Sequence, residues 1–169
     1  EFLRVHESIP IVMHRASFDL AVMNLLVPEF DVYRWVDQDH VWDTQLLHCL
    51  FSLGKDGHVS RGKGQSTLEK CASLYLGIEL PKDIEDSQGN VVRLSYGQWL
   101  NKPPQEIEPV YLEYLAKDVL ATRLVYMELH NGLKGMFEAA SGTWGFISKT
   151  WLVEQVRRWG WQTHHIQLK

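Results

Sequence analysis

Two short apolar runs, each leading directly into a helical pattern, constrain this chain more than any other feature. Ile9 to Met13 carries β-branched residues ahead of a polar cluster and reads as a buried strand. Phe18 to Leu26 then reads as a buried helix that stops near Pro28. Val41-Trp42 reads as a second short strand. It enters Asp43-Thr44, an N-cap for a helix from Gln45 to Leu53 with Gly54 as its stop.

The rest of the chain is organised by its breakers. Residues 54–66 are rich in Gly, Lys, His and Ser and read as a loop. Ser66-Thr67-Leu68-Glu69 matches a capping box for a helix that ends at Leu76-Gly77. Residues 81–106 are polar, with Pro81, Gly89-Asn90 and Pro103-Pro104 as interruptions. Pro109 marks the start of the longest helical pattern, running to about His130, where Leu112, Leu115, Val119, Val125 and Leu129 are expected to face a core. Asn131-Gly132, Gly135 and Ser141-Gly142 then read as a linker. A Trp-rich segment with Trp144, Trp151, Trp159 and Trp161 follows. The division expected is therefore a domain over residues 1–130 and a linker with an amphipathic helix over 131–169.

With 45% hydrophobic and 22% charged residues, the chain has the balance of a folded domain, which excludes fibrous and wholly disordered classes. Its net charge of −4 argues against coating nucleic acid by bulk charge. No stretch approaches the roughly 18 apolar residues of a membrane span, and Glu1-Phe2-Leu3-Arg4 has no secretory pattern. The expected setting is cytoplasmic or DNA-associated, without secretion and without a membrane. Two cysteines, Cys49 and Cys71, are too few for a disulfide framework and are expected to be reduced core residues. His48, Cys49 and Cys71 lack zinc-ligand spacing, and His164-His165 cannot both face one direction on a helix.

Two carboxylates carry the functional signal. Asp19 follows the first strand at its carboxyl end, where ligands sit in open α/β sheets. Asp118 lies four residues after Tyr114 in the long helix, so the two share a face. Taken alone, each has a plain structural reading, as a helix N-terminal charge and as a solvated helix face. In order, His14-x-x-x-Phe18-Asp19, Asp43-Thr44 and Tyr114-Leu115-Ala116-Lys117-Asp118 resemble the 3′–5′ exonucleases of the DEDD superfamily. The match is to the tyrosine branch, which includes the proofreading domain of family A DNA polymerases and RNase D. Glu113 stands where the histidine branch has its histidine.

The resemblance covers roughly residues 5–130. It implies an RNase H-like α/β fold with a mixed central sheet. Asp19 and Asp118 would be metal ligands, Tyr114 would orient the attacking water, and Phe18 would pack in the core. Two Mg²⁺ or Mn²⁺ ions would flank the scissile phosphate, one activating the water and one stabilising the leaving oxygen. The implied partner is a single-stranded 3′ end, DNA before RNA, with a polymerase region in the full-length protein.

The chain departs from the family in two places. The family's Asp-x-Glu, expected on a strand ahead of Asp19, is absent; Asp83-Ile84-Glu85 comes after Asp19 in the breaker-rich stretch. Arg15 stands where the family usually has Asn, as a phosphate contact or a solvent-facing side chain. Two accounts follow: a fragment that lacks its first strands, the account the missing initiator Met favours, or a degenerate exonuclease kept as a nucleic-acid- or protein-binding module. Either way, two of four carboxylates predict little nuclease activity for these 169 residues. An incomplete sheet also predicts a sticky open edge and self-association.

Overall fold

A computed structural model describes residues 2–59 and 64–143. The Trp-rich segment and the chain's last residues, read above as an amphipathic helix, lie outside the described residues. After a single helical turn, α1 (Phe2–Val5), strand β1 (Ile11–Met13) leads into helix α2 (Ala16–Leu26) and the short helix α3 (Val32–Asp37). Strand β2 (Val41–Asp43) leads into α4 (Thr44–Asp56) and α5 (Leu68–Leu76). Three 3-10 turns, Val92–Leu94, Tyr96–Trp99 and Pro104–Glu106, precede the long helix α6 (Pro109–Thr143).

The sheet among the described residues is a parallel pair, β1 beside β2, in register Ile11 with Val41 and Met13 with Asp43. Side chains alternate across it as the pleat requires. Ile11, Met13 and Val41 meet Leu20, Phe30, Val32 and Trp35 in one core, supplied by α2, α3 and the loop between them. Trp42 joins the other core, where Leu47, Cys71 and Ala72 meet Ala121, Val125 and Leu129 of α6. The chain is thus an α/β arrangement with helices on both faces of a small sheet. No helix among the described residues is long and apolar enough to cross a membrane.

Several local expectations hold and several are corrected. Pro109 starts α6, and Gly77 closes α5 in the left-handed conformation (φ 67°). Cys49 and Cys71 are both free, with Cys71 fully buried. Helix α4 passes through Gly54 and stops at Gly57, whose φ of 71° a side chain would strain. Asp31 starts α3, unforeseen in the sequence, by accepting from the Tyr33 and Arg34 backbone N–H groups. The cap of α5 is Thr67 rather than Ser66, which takes bonds from elsewhere.

Helix α6 does not end near His130. It runs on through Gly132 and Gly135 to Thr143, and Leu133 packs on the second core. Gly132 is small for a packing reason: a Cβ there would collide with the Phe51 ring. The turn signals of 131–135 therefore yield to packing.

Helix α2 is not the buried helix expected. Only Ala16 and Leu20 are fully buried, while Phe18 is 65% exposed, with Val22, Leu25 and Leu26. Phe18 is thus no core residue. Leu112, Leu115 and Val119 of α6 are also exposed, while Val125 and Leu129 are buried as expected. The register of β1 against β2, with the Ile11 N–H donating to the His40 carbonyl at 2.7 Å, turns the Val12 N–H and C=O away from β2, along an edge that no further strand pairs among the described residues.

Candidate functional site

The carboxyl end of the two strands is built around Asp43. Its side chain is 8% exposed and accepts three backbone N–H groups. Arg15 donates to Oδ1 at 3.0 Å, Gln45 donates to Oδ1 at 2.8 Å, and Ala16 donates to Oδ2 at 2.8 Å. One carboxylate so caps α4, its own helix, and the entry of α2 from the neighbouring strand, satisfying donors that helix starts leave open. Arg15 meets this demand in a left-handed conformation (φ 66°), which a non-glycine residue adopts only when its surroundings fix it. The backbone of Arg15 thus carries structure, and its side chain is exposed.

His14 closes the same end. One ring nitrogen lies 2.8 Å from the Thr44 hydroxyl and the other 3.0 Å from the Ser66 carbonyl. In the neutral ring with hydrogen on Nε2, that N–H donates to the Ser66 carbonyl, and the one Thr44 hydroxyl hydrogen lies between Nδ1 and the Met13 carbonyl, 3.2 Å away. Burial pushes the imidazole pKa down, against the pull of Asp43 and the Ser66 carbonyl; His48 and Arg15 add to the depression. Gln45 Nε2 donates to the Ser66 carbonyl and hydroxyl as well, so Ser66 is a latch between α5 and the strand ends.

Asp19 sits in the first turn of α2, half-buried, beside this cluster. Burial and the nearby Asp43 carboxylate raise its pKa. Asp118 lies in α6, which packs against β1. It too is half-buried, and burial raises its pKa. Tyr114 stands one turn before it. Its phenol is pushed up by burial and by Asp118, pulled down by Arg93, and raised slightly by Asp83. Asp118 and Tyr114 also raise the Tyr96 phenol, whose shift is led by burial. The structure therefore gathers Asp19 with Asp43 at the strand ends, and Tyr114, Asp118, Tyr96 and Arg93 along α6.

The segment 81–106, read from sequence as a polar stretch, is pinned from inside. Tyr111 is fully buried on α6, and its hydroxyl donates to Asp86 at 2.8 Å, with Ser95 Oγ at 2.6 Å and Gln98 Nε2 also on that oxygen. Asp86 accepts further from the Gln88 and Asn90 backbone N–H groups and the Asn90 side chain. Burial pushes the Asp86 carboxyl up, but these hydrogen bonds outweigh it and hold it well below the usual carboxylate range. The signal available in sequence is Asp86 followed by Gly89-Asn90, an Asp-led turn. Asp83 and Glu85 are exposed.

Half-buried carboxylates held above their ordinary pKa cost stability when charged. A folded-state pKa above the ordinary carboxyl value of 3.8 means that stability falls as pH rises from there through the raised value. Asp118→Asn is therefore expected to be more stable than the native chain at pH 7, by about 0.5 kcal/mol after solvent screening. The gain should vanish below pH 3.8. Thermal unfolding of both proteins across pH 3–8 measures it; a loss of stability at neutral pH would contradict the sign.

Among the described residues, no three His, Cys, Asp or Glu side chains form a group that could hold a metal ion. Asp19 and Asp118 have the hard oxygen donors that Mg²⁺ or Mn²⁺ prefers, but two carboxylates are too few for the two-ion centre the resemblance implies. No known family model, curated protein or solved structure matches this chain.

Proposed function

We propose that this chain is a 3′–5′ exonuclease-type domain on an RNase H-like fold, receiving a single-stranded 3′ end, DNA in preference to RNA. The observation that carries the reading is a pair of half-buried carboxylates on the two helices that flank β1, one following it in the chain and one packed against it. Asp19 lies just past the end of β1, and Asp118 lies on the helix packed against β1, one turn from Tyr114. The open edge of β1 and the uncovered apolar residues of α2 and α6 have the character of surfaces that further strands cover in that fold. In this reading Asp118 accepts a hydrogen bond from the attacking water, and Tyr114 donates one to the water or to a phosphate oxygen. Tyr114, its phenol pushed upward, stays protonated at neutral pH and donates rather than abstracts.

A divalent ion, when bound, supplies charge neutralisation between the carboxylates and the phosphate. With two of the family's four carboxylates in the chain, such binding should be weak, on the order of millimolar. Mn²⁺ titrated into the labelled protein is expected to broaden the backbone resonances of Asp19 and Asp118 together, and Asp118→Asn should weaken both effects. Shortening of 3′-labelled single-stranded DNA by these 169 residues should stay near background. Broadening at one aspartate without the other, or brisk metal-dependent degradation, would defeat this reading.

The second reading, a non-catalytic binding module, is favoured by the lack of a three-ligand group among the described residues. Such a module binds oligonucleotide equally with and without Mg²⁺.

A further inference from the structure

We infer that Arg93 and Tyr96 form a nucleotide-holding face beside Tyr114 and Asp118, Arg93 taking a backbone phosphate and Tyr96 stacking under a base. The inference rests on the nucleic-acid reading above and adds residues that the motif comparison does not contain.

The placement comes from the buried anchor. Ser95 bonds the Tyr111 hydroxyl at 2.6 Å and the Val91 carbonyl at 2.8 Å, which fixes the chain between the first two 3-10 turns. Val92 is fully buried, and its turn packs on α6. The Tyr96 hydroxyl donates to the Tyr111 carbonyl at 3.2 Å, and its ring meets the Tyr111 ring edge-on, with centroids 5.3 Å apart. Tyr96 is thus tied to the turn of α6 that precedes Tyr114, with 38% of its surface left open.

Arg93 rides on the same support. Its guanidinium acts on the Tyr114 phenol, and its nearest carboxylate oxygen, on the well-exposed Asp83, is 3.7 Å away. At that distance in water the pair is weak and leaves the fork available to a phosphate. A cation and an aromatic ring three residues apart on a rigid segment are the two elements by which single strands are held without reading their sequence. Phosphate binding here also fits the chemistry of the neighbours. The Arg93 guanidinium offsets the charge that Asp118 presents to an incoming anion.

The test is binding of a 5′-labelled dT10 to the full 169-residue chain, by fluorescence anisotropy at low salt in EDTA. Arg93→Gln should weaken binding about tenfold, the scale of one lost charge-assisted phosphate contact. Tyr96→Ala should weaken it several-fold and Tyr96→Phe should restore it, since stacking needs the ring and not the hydroxyl. Arg34→Gln on α3 removes the same charge elsewhere and should change binding less than twofold. Far-UV circular dichroism confirms that each variant is folded.

An Arg93→Gln effect no larger than that of Arg34→Gln overturns the inference, as does absence of dT10 binding by the native chain. The exonuclease reading fails separately. If Asp118→Asn and Mn²⁺ leave dT10 binding unchanged while Arg93→Gln weakens it, the phosphate contact stands without that reading. If the first two matter and Arg93→Gln does not, the reading stands and this inference falls.

Discussion

Asp43→Ala is expected to lower the stability of the native chain by about 4 kcal/mol, the largest effect of any single polar substitution here. Its carboxylate accepts from three backbone N–H groups at 2.8–3.0 Å in a buried position. Alanine leaves the Ala16 donor buried without a partner, and those of Arg15 and Gln45 in a half-closed pocket. It also removes the contact that keeps Arg15 at φ 66°, so relaxing that residue would rotate the start of α2 away from the strand end. Asp43→Asn should cost less, about 2 kcal/mol. The amide oxygen can still serve Arg15 and Gln45, but its nitrogen faces the Ala16 N–H, donor against donor. Urea unfolding at pH 7 separates the two variants. Equal small losses, below about 1 kcal/mol each, would show that the two helix starts do not depend on this side chain.

The same residue shows how much of the site was legible. Asp43-Thr44 announces a helix N-cap in sequence, and that half is observed. Its second duty, capping α2 across the sheet, depends on the parallel pairing that brings Met13 opposite Asp43, a relation of residues 30 apart that no local pattern encodes. Helix starts at Pro109 and Leu68, and both strands, could be read because caps, prolines and β-branched runs act over a few residues. The end of α6 could not. Gly132 looks like a breaker in isolation, but here its missing side chain lets Phe51 approach the helix. Hydrophobic spacing on α6 shows a stripe without saying which part is covered. Val125 and Leu129 have α4 and α5 against them, while Leu115 and Val119 do not.

Motif order singles out Asp19, Tyr114 and Asp118 by identity and spacing. The guanidinium that acts on Tyr114 is not in that pattern. Arg93 and Tyr96 reach α6 only because a polar stretch is pinned by a buried tyrosine. Sequence polarity in residues 81–106 points to solvent. The structure turns Asp86 inward instead, because five protein donors replace its water.

Tyr111→Phe tests that anchor. The ring is retained, so its edge contacts with Tyr96 and Trp99 at 5.3 and 5.4 Å survive, and the change isolates the hydroxyl. Without it Asp86 loses a buried donor, and Ser95 and Gln98 lose a shared partner. The expected loss is about 2–3 kcal/mol at pH 7, the cost of leaving buried polar groups unpaired. The pH dependence identifies the cause. Asp86 is held below its ordinary 3.8, so its contribution is present above that value and is lost as pH falls through the depressed one. Phenylalanine removes part of the depression, so the gap between the two proteins should be constant from pH 7 to 4 and narrow only below. A gap that narrows near pH 6 would assign the loss to another group. Beyond stability, the segment carrying Arg93 and Tyr96 loses its Ser95 and Gln98 links to α6 in this variant, although neither residue is changed. Oligonucleotide affinity should therefore fall with it, which separates support of the face from direct contact: Arg93→Gln weakens binding in a chain of nearly native stability, and Tyr111→Phe weakens both.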